Sequence, residues 1–162
     1  MKNTGTSISV FHVSFLDFIR HENIISLERH RNAVFFNTKQ LPPDKYLKLL
    51  EKRRAEYRKF TPLFCPCLNE QITFNSDGFN HLRFHLEHKA RTQAEQVHKL
   101  NFLPHVRTVL IKASKIESYR KINKSEYWAL CATIGKGNLK VRVIIRRIGN
   151  GKMHFWSVMN VK

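Results

Sequence analysis

The clearest pattern in the chain lies in its last third, where apolar and polar residues alternate over three segments. A period of two is typical of β-strands, because successive side chains point to opposite faces of a sheet. The segments are Tyr127–Ile134, Leu139–Arg147 and Lys152–Val161, and Gly149-Asn150-Gly151 joins the last two as a tight turn. The sequence therefore predicts a three-stranded β-meander.

The hairpin loop decides which side chains of this meander share a face. A two-residue loop at Asn150-Gly151 predicts the pairs Arg147–His154, Arg146–Phe155 and Ile144–Ser157. On this register Arg146 and Ser157 lie on one face, and His154 lies on the other. A three-residue loop with a bulge would move one strand by one residue and exchange its faces.

Upstream of the meander, apolar residues recur at the three- and four-residue spacing of amphipathic helices. The predicted helices are Pro43–Lys59, a helix capped by Ser76 or Asp77 with His81, His85 and His88 on one face, Thr92–Leu100, and His105–Ser118. Helices followed by an antiparallel sheet indicate an α+β fold. The predicted organisation is an N-terminal extension of unassigned structure at residues 1–40, a basic helix at 41–60 and an α+β core at 61–162.

The composition adds a strong positive charge to this picture. The 162 residues, 42% of them apolar and 12 of them Phe, are typical of one globular domain and exclude a disordered basic tail. Lys and Arg number 29 against 12 Asp and Glu, which gives a formal charge of +17 and a pI near 10.3. Such a charge favours a polyanionic partner, with nucleic acid ahead of an anionic membrane or an acidic protein.

The compartment follows from weaker signals. Three cysteines are an odd number, which does not favour a disulfide framework and fits a reducing cytoplasm. The first apolar residues are interrupted by His12, Asp17 and Arg20, so neither a signal peptide nor a membrane span is expected. The sequence thus predicts a cytoplasmic protein without a membrane partner.

The basic helix Pro43–Lys59 has one apolar edge and a broad cationic face, so it is either a solvated surface helix or one that follows an RNA backbone. Trp128 and Trp156 on neighbouring strands could stack on exposed bases or belong to the core. The candidate nucleic-acid contacts are Lys52, Arg53, Arg54, Arg58, Arg142 and Arg147.

Four residues have the side chains that RNA cleavage without metal requires. The reaction needs a base for the 2′-hydroxyl proton, an acid for the departing 5′-oxygen, and cations for the phosphate charge. His81 suits either proton transfer, Arg146 can clamp the phosphate with its fork, and Ser157 can donate a hydrogen bond to it. His154 is the candidate second proton-transfer group, on condition that the hairpin register turns it toward the same face.

Several short motifs resemble one family of nucleases. They are Cys65-Pro66, Gly78-Phe79-Asn80-His81-Leu82, Leu103-Pro104, Val141–Arg147 and Phe155-Trp156-Ser157-Val158. Together with the basic helix that precedes them, they resemble phage-associated domains of the barnase–EndoU–colicin–RelE class of ribonuclease folds. The resemblance covers roughly residues 60–161.

This resemblance implies N-terminal helices packed on one curved antiparallel sheet, with a catalytic cleft on its open face. It implies a histidine near the start of the first core helix, a basic residue on a central strand and a hydroxyl on the last strand. His81, Arg146 and Ser157 occupy those positions. The expected function is a metal-independent endoribonuclease without cofactor, as a toxin or phage-borne effector, with RNA as partner and an acidic inhibitor or antitoxin protein as a second partner.

A structural zinc is the alternative interpretation. Cys65 and Cys67 are followed after thirteen residues by His81 and His85, and two histidines four residues apart on a helix are usual zinc ligands. A single residue between the cysteines is tighter than the usual spacing of two to four. On this alternative the chain is a nucleic-acid-binding module that does not catalyse a reaction.

Overall fold

Four antiparallel strands in chain order form the main sheet of the protein. The computed structural model describes residues 40–85, 89–135 and 138–161. The strands are β3 (Ile116–Ile122), β4 (Ser125–Ile134), β5 (Leu139–Ile148) and β6 (His154–Asn160). Helices precede this sheet, so the predicted α+β class is confirmed, and β4 to β6 are the predicted meander.

The strand β3 was not expected. The predicted helix His105–Ser118 is wrong beyond its first half, because helix α4 (Val106–Lys112) ends and the chain then enters β3. The helical spacing of apolar residues stops at Ala113, which is buried against the core. A tight turn with Asn123 at a positive φ of 53° returns β3 onto β4, and this pairing satisfies backbone groups that a longer helix would have satisfied internally.

The register between β5 and β6 differs from the two-residue loop. Arg146 lies opposite His154 and Ile145 opposite Phe155, so the predicted pairs Arg147–His154 and Arg146–Phe155 are wrong, whereas Ile144–Ser157 is confirmed. A β-bulge accounts for both results, because Trp156 is an extra residue between Phe155 and Ser157. Arg146, His154 and Ser157 therefore share one face, which corrects the expectation that His154 lies on the other.

Within the described residues, four α-helices and one small hairpin precede the sheet. They are α1 (Pro43–Arg58), the hairpin of β1 (Leu63–Cys65) and β2 (Glu70–Ile72), α2 (Ser76–Arg83), α3 (Gln93–Phe102) and α4, which follows a 3-10 turn at Leu103–His105. The basic helix and the helix near Thr92–Leu100 are thus confirmed. Residues 39–162 form one compact unit. The extension predicted at residues 1–40 lies almost wholly outside the described residues.

Helix α2 is shorter than the sequence suggested. Its N-cap is Asn75, whose side chain accepts a hydrogen bond from the Gly78 amide (3.1 Å), rather than Ser76 or Asp77. The helix ends at Arg83, so His85 does not lie on the helical face of His81. His88 lies outside the described residues, and His81 and His85 do not share the helical face that the sequence predicts for them.

The hydrophobic core lies between the helices and one face of the sheet. Paired residues of β4, β5 and β6 supply fully buried side chains to this face, among them Leu130, Val143 and Val158. Val106, Val109 and Leu110 of α4 are also fully buried. The opposite face carries Tyr127, Arg146 and Arg142, all partly exposed. Arg142 and Arg146 therefore lie on the face opposite the core, whereas Arg147 lies on the core face beside Trp128. His154 and Ser157 are buried.

Candidate functional site

Trp156 is the residue around which the candidate side chains meet. The imidazole of His81 stacks on its indole ring, with centroids 4.1 Å apart and planes 20° from parallel. The guanidinium carbon of Arg146 lies 4.4 Å from the same ring centroid, and His154 makes an edge contact at 6.2 Å. His81, Arg146 and His154 come from α2, β5 and β6, so the fold brings together groups far apart in sequence.

The bulge and a close helix-to-strand approach place His81 on Trp156. A Cβ atom on Gly78 would lie 2.3 Å from the carbonyl oxygen of Phe155 and 2.8 Å from the hydroxyl of Tyr57. Only glycine leaves room for α2 to come this close to β6. His81 lies one helical turn beyond Gly78, so the close approach carries its ring to the bulged residue.

Arg91 holds the His81 imidazole from a second side. Its Nε donates to the carbonyl oxygen of His81 (3.1 Å), and its Nη2 lies 3.3 Å from His81 Nε2. Guanidinium can only donate, so this nitrogen of His81 is an acceptor and the proton of the neutral ring sits on Nδ1. The carbonyl oxygen of Arg91 accepts a hydrogen bond from Gln96 (2.8 Å), which in turn contacts Tyr46 of α1.

Lys99 of α3 reaches the hydroxyl of Ser157 and donates to its oxygen over 2.9 Å. Ser157 is only 3% exposed, whereas Lys99 is partly exposed. Sequence reasoning missed both Arg91 and Lys99. The nearby signal was the capping box of Thr92 and Glu95, which fixes the start of α3 but does not tell which basic side chains face His81.

Arg146 is held on the open face of the sheet by neighbouring strand residues. Its Nη2 donates to Ser125 Oγ (3.0 Å), and its guanidinium carbon lies 5.6 Å from the ring centroid of Tyr127. Its Nε is buried and has no hydrogen-bond partner among the described residues, and the same is true of His154 Nε2 directly across the ladder. Burying two polar atoms without hydrogen-bond partners costs free energy, and such atoms are common at functional sites.

The electrostatic surroundings of His81 are strongly positive. Burial lowers the pKa of His81, and Arg91, Lys99, His85 and Arg146 lower it further, to about 3. Burial is also the main cause of a lowered pKa at His154, to which Arg146 contributes. Both imidazoles are therefore neutral at pH 7.

This lowered pKa predicts a loss of stability in weak acid. Between pH 6.5 and 3 the unfolded chain binds a proton at His81 that the folded protein does not. The free energy of unfolding must fall as pH falls through this range, by up to about 1.4 kcal/mol per pH unit. Urea unfolding between these pH values should show a shallower dependence for His81→Gln than for the wild type. His105→Gln, an exchange of the same type away from Trp156, should keep the wild-type slope, and equal slopes for all three proteins would contradict the prediction.

The six predicted nucleic-acid contacts differ in whether a neighbouring carboxylate neutralises their charge. Arg142 and Arg147 on the sheet are bound to Glu117 (2.6 Å) and Glu126 (2.7 Å), and Arg53 of α1 is bound to Glu56 (2.7 Å). The guanidinium of Arg54 lies over the ring of Phe79. Lys52 and Arg58 remain as exposed side chains of α1. Much of the cationic surface expected on the sheet is thus neutralised by neighbouring carboxylates.

The two tryptophans that the sequence offers as base-stacking candidates lie in different surroundings. Trp128 is 8% exposed and packs in the core with Arg147 over its ring, whereas Trp156 is partly exposed.

Within residues 40–85, 89–135 and 138–161, no three His, Cys, Asp or Glu side chains form a group that could hold a metal ion. Cys65 is fully buried on β1, and His81 contacts Trp156 and Arg91.

No helix in the described part of the chain is long and apolar enough to cross a membrane.

Comparison of the chain with protein-family models, with curated proteins and with solved structures gave no match.

Proposed function

We propose that the protein is a metal-independent endoribonuclease that cleaves RNA by general acid–base transesterification. The observation that carries this proposal is a neutral imidazole surrounded by cations. His81 contacts Arg91 directly, and Lys99 and Arg146 are close enough to lower its pKa. Such a site favours the binding of an anion. In RNA the phosphodiester is an anion, and the 2′-hydroxyl to be deprotonated lies beside it.

His81 is the base that takes the proton of the 2′-hydroxyl in this proposal. In the free protein Arg91 donates to His81 Nε2, the nitrogen that must accept the proton in this reaction. A bound phosphate competes for the guanidinium and partly neutralises the surrounding cations, which raises the pKa of His81 toward its ordinary value. The substrate itself thereby converts a weak base into one suited to neutral pH.

Arg146 and Lys99 stabilise the charge that develops on the phosphate. The 2′-oxygen attacks phosphorus, the bond to the 5′-oxygen breaks, and the products are a 2′,3′-cyclic phosphate and a 5′-hydroxyl. His154, the second histidine in contact with Trp156, is the candidate for protonating the 5′-oxygen. Its pKa is lowered in the free protein, so in this proposal the anionic substrate must first raise that pKa until the ring carries the proton to be transferred. Because Ser157 is buried and accepts from Lys99, we assign it to positioning the Lys99 ammonium group rather than to direct contact with RNA.

A toxin or phage-borne effector with an acidic inhibitor remains the proposed biological setting for this activity. It draws on the formal charge of +17 and on the resemblance of the site motifs to that class of nucleases. The inhibitor would cover a surface rich in Arg and Lys, because complementary charge speeds association.

The proposal predicts that purified protein cuts RNA in the presence of a chelator and leaves a 2′,3′-cyclic phosphate. Single-stranded DNA of the same sequence should remain intact, because it lacks the attacking 2′-hydroxyl. Denaturing gels with end-labelled substrates measure both results. Protein that binds RNA without cutting it would favour the non-catalytic alternative, and one zinc per chain in metal analysis would identify its zinc-containing form.

A further inference from the structure

Four lysines lie along one side of α1. Lys45, Lys48 and Lys52 occupy positions i, i+3 and i+7, and Lys59, the C-cap residue, follows seven residues later. At 3.6 residues per turn they fall within an arc of about 60° and form a line about 21 Å long. We call these four residues the lysine stripe. Acidic residues of α1 do not fall within this arc, since Asp44, Glu51 and Glu56 lie beside it.

The lysine stripe is exposed, and its charges are not neutralised by ion pairs among the described residues. Glu56, which lies beside the stripe on the same helix, is bound to Arg53 instead. The sheet arginines Arg142 and Arg147 differ in this respect, because each is bound to a glutamate. Four aligned like charges without an ion pair to a carboxylate repel each other, and a linear polyanion relieves this repulsion.

The opposite side of α1 belongs to the core. Leu50 and Tyr57 are buried, and Tyr46 and Leu49 pack against the same cluster. A helix that binds a membrane surface must insert its apolar face into the lipid. That face of α1 is already packed, so the stripe suits a polyanion in solution better than an anionic membrane.

We propose that the lysine stripe binds the sugar–phosphate backbone of a single-stranded polynucleotide, independently of base sequence and of the chemistry at His81. The inference extends the proposed function by adding a binding surface for the substrate outside the Trp156 cluster. Each lysine that contacts a phosphate releases counterions, so the affinity must fall with salt by about 0.7 logarithmic units per contact and decade.

Single-stranded DNA about 16 nucleotides long is the probe that separates this inference from RNA cleavage, because it cannot undergo 2′-hydroxyl attack. Fluorescence anisotropy with the full chain should show weaker binding by Lys48→Glu/Lys52→Glu. Loss of two contacts corresponds to about 25-fold at about 0.1 M salt, with a salt slope smaller by about 1.4. The matched control Lys112→Glu/Lys124→Glu makes the same charge change at exposed lysines outside the stripe.

Retention of wild-type affinity by the control would support the stripe. Equal losses in both double variants would overturn the inference, since binding would then follow net charge alone. Binding of the wild type to phosphatidylserine vesicles but not to the DNA would overturn it in favour of a membrane surface. None of these outcomes depends on whether the protein cleaves RNA.

Discussion

His81→Ala is expected to lower kcat/KM for RNA cleavage by about 10²- to 10⁴-fold, the usual contribution of a positioned acid or base. The variant removes the group that takes the 2′-hydroxyl proton and leaves Arg91, Lys99 and Arg146 in place. RNA should still bind, because the cations that attract the phosphate are unchanged. Single-turnover cleavage of a labelled RNA measures the chemical step. Anisotropy with single-stranded DNA of the same sequence, which lacks the attacking 2′-hydroxyl, measures binding.

The control for this prediction is His105→Ala. His105 lies in the 3-10 turn before α4 and contacts Phe102 rather than Trp156, so its removal should leave cleavage unchanged. Far-UV circular dichroism and the urea midpoint establish that both variants fold. If folded His81→Ala cleaved RNA at the wild-type rate, His81 would not be the base, and the proposed function would lose the observation that carries it.

Gly78→Ala is expected to destabilise the protein by about 1–3 kcal/mol, the usual cost of overpacking a core. In an ordinary helix interior the same exchange stabilises by about 1 kcal/mol. The sign reverses here because the new methyl group would lie 2.3 Å from the backbone oxygen of Phe155, which cannot move without disturbing the β5–β6 ladder. Helix α2 must therefore withdraw from β6.

Withdrawal of α2 gives Gly78→Ala a second measurable effect. His81 would leave its stacked position on Trp156, so RNA cleavage should fall even at temperatures where the variant remains folded. Asn80→Ala, at an exposed position of the same helix, should change the free energy of unfolding by less than about 0.5 kcal/mol. A Gly78→Ala protein as stable as the wild type would show that the helix can adjust, and the close approach would then not be needed.

The elements that sequence reasoning found are those whose pattern is local. The alternation of Val141, Val143 and Ile145 predicts β5 because period two has one structural meaning. Helix α1 begins at Pro43 as predicted, since proline is favoured in the first helical turn. The error at β3 has the same origin. Apolar residues continue with helix-like spacing up to Ala113, and only the pairing of Ile116–Ile122 with β4 shows that the helix has already ended.

The site could be anticipated in its residue types but not in its arrangement. His81, Arg146, Ser157 and His154 were chosen because they are suited to phosphate chemistry, and the fold places His81, Arg146 and His154 on Trp156. Arg91 and Lys99 could not be distinguished from the other basic residues, because their orientation depends on α3 and on Gln96. Likewise, Glu117 and Glu126 bind Arg142 and Arg147 only after β3 and β4 have paired with β5.

The sequence by itself determined the α+β class, the meander, the basic helix and the charge of +17, because periodicity, helix signals and composition act within a few residues. Tertiary structure alone decided which face His154 occupies. That outcome rests on the bulge at Trp156, next to the point where the backbone of Thr73 pairs with Met153 and Phe155 along the outer edge of β6. A bulge changes the register by one residue. Beside this bulge, β6 bonds to a segment about eighty residues away, as in the bond from Thr73 Oγ1 to the carbonyl oxygen of Met153. No pattern within the hairpin records such a contact.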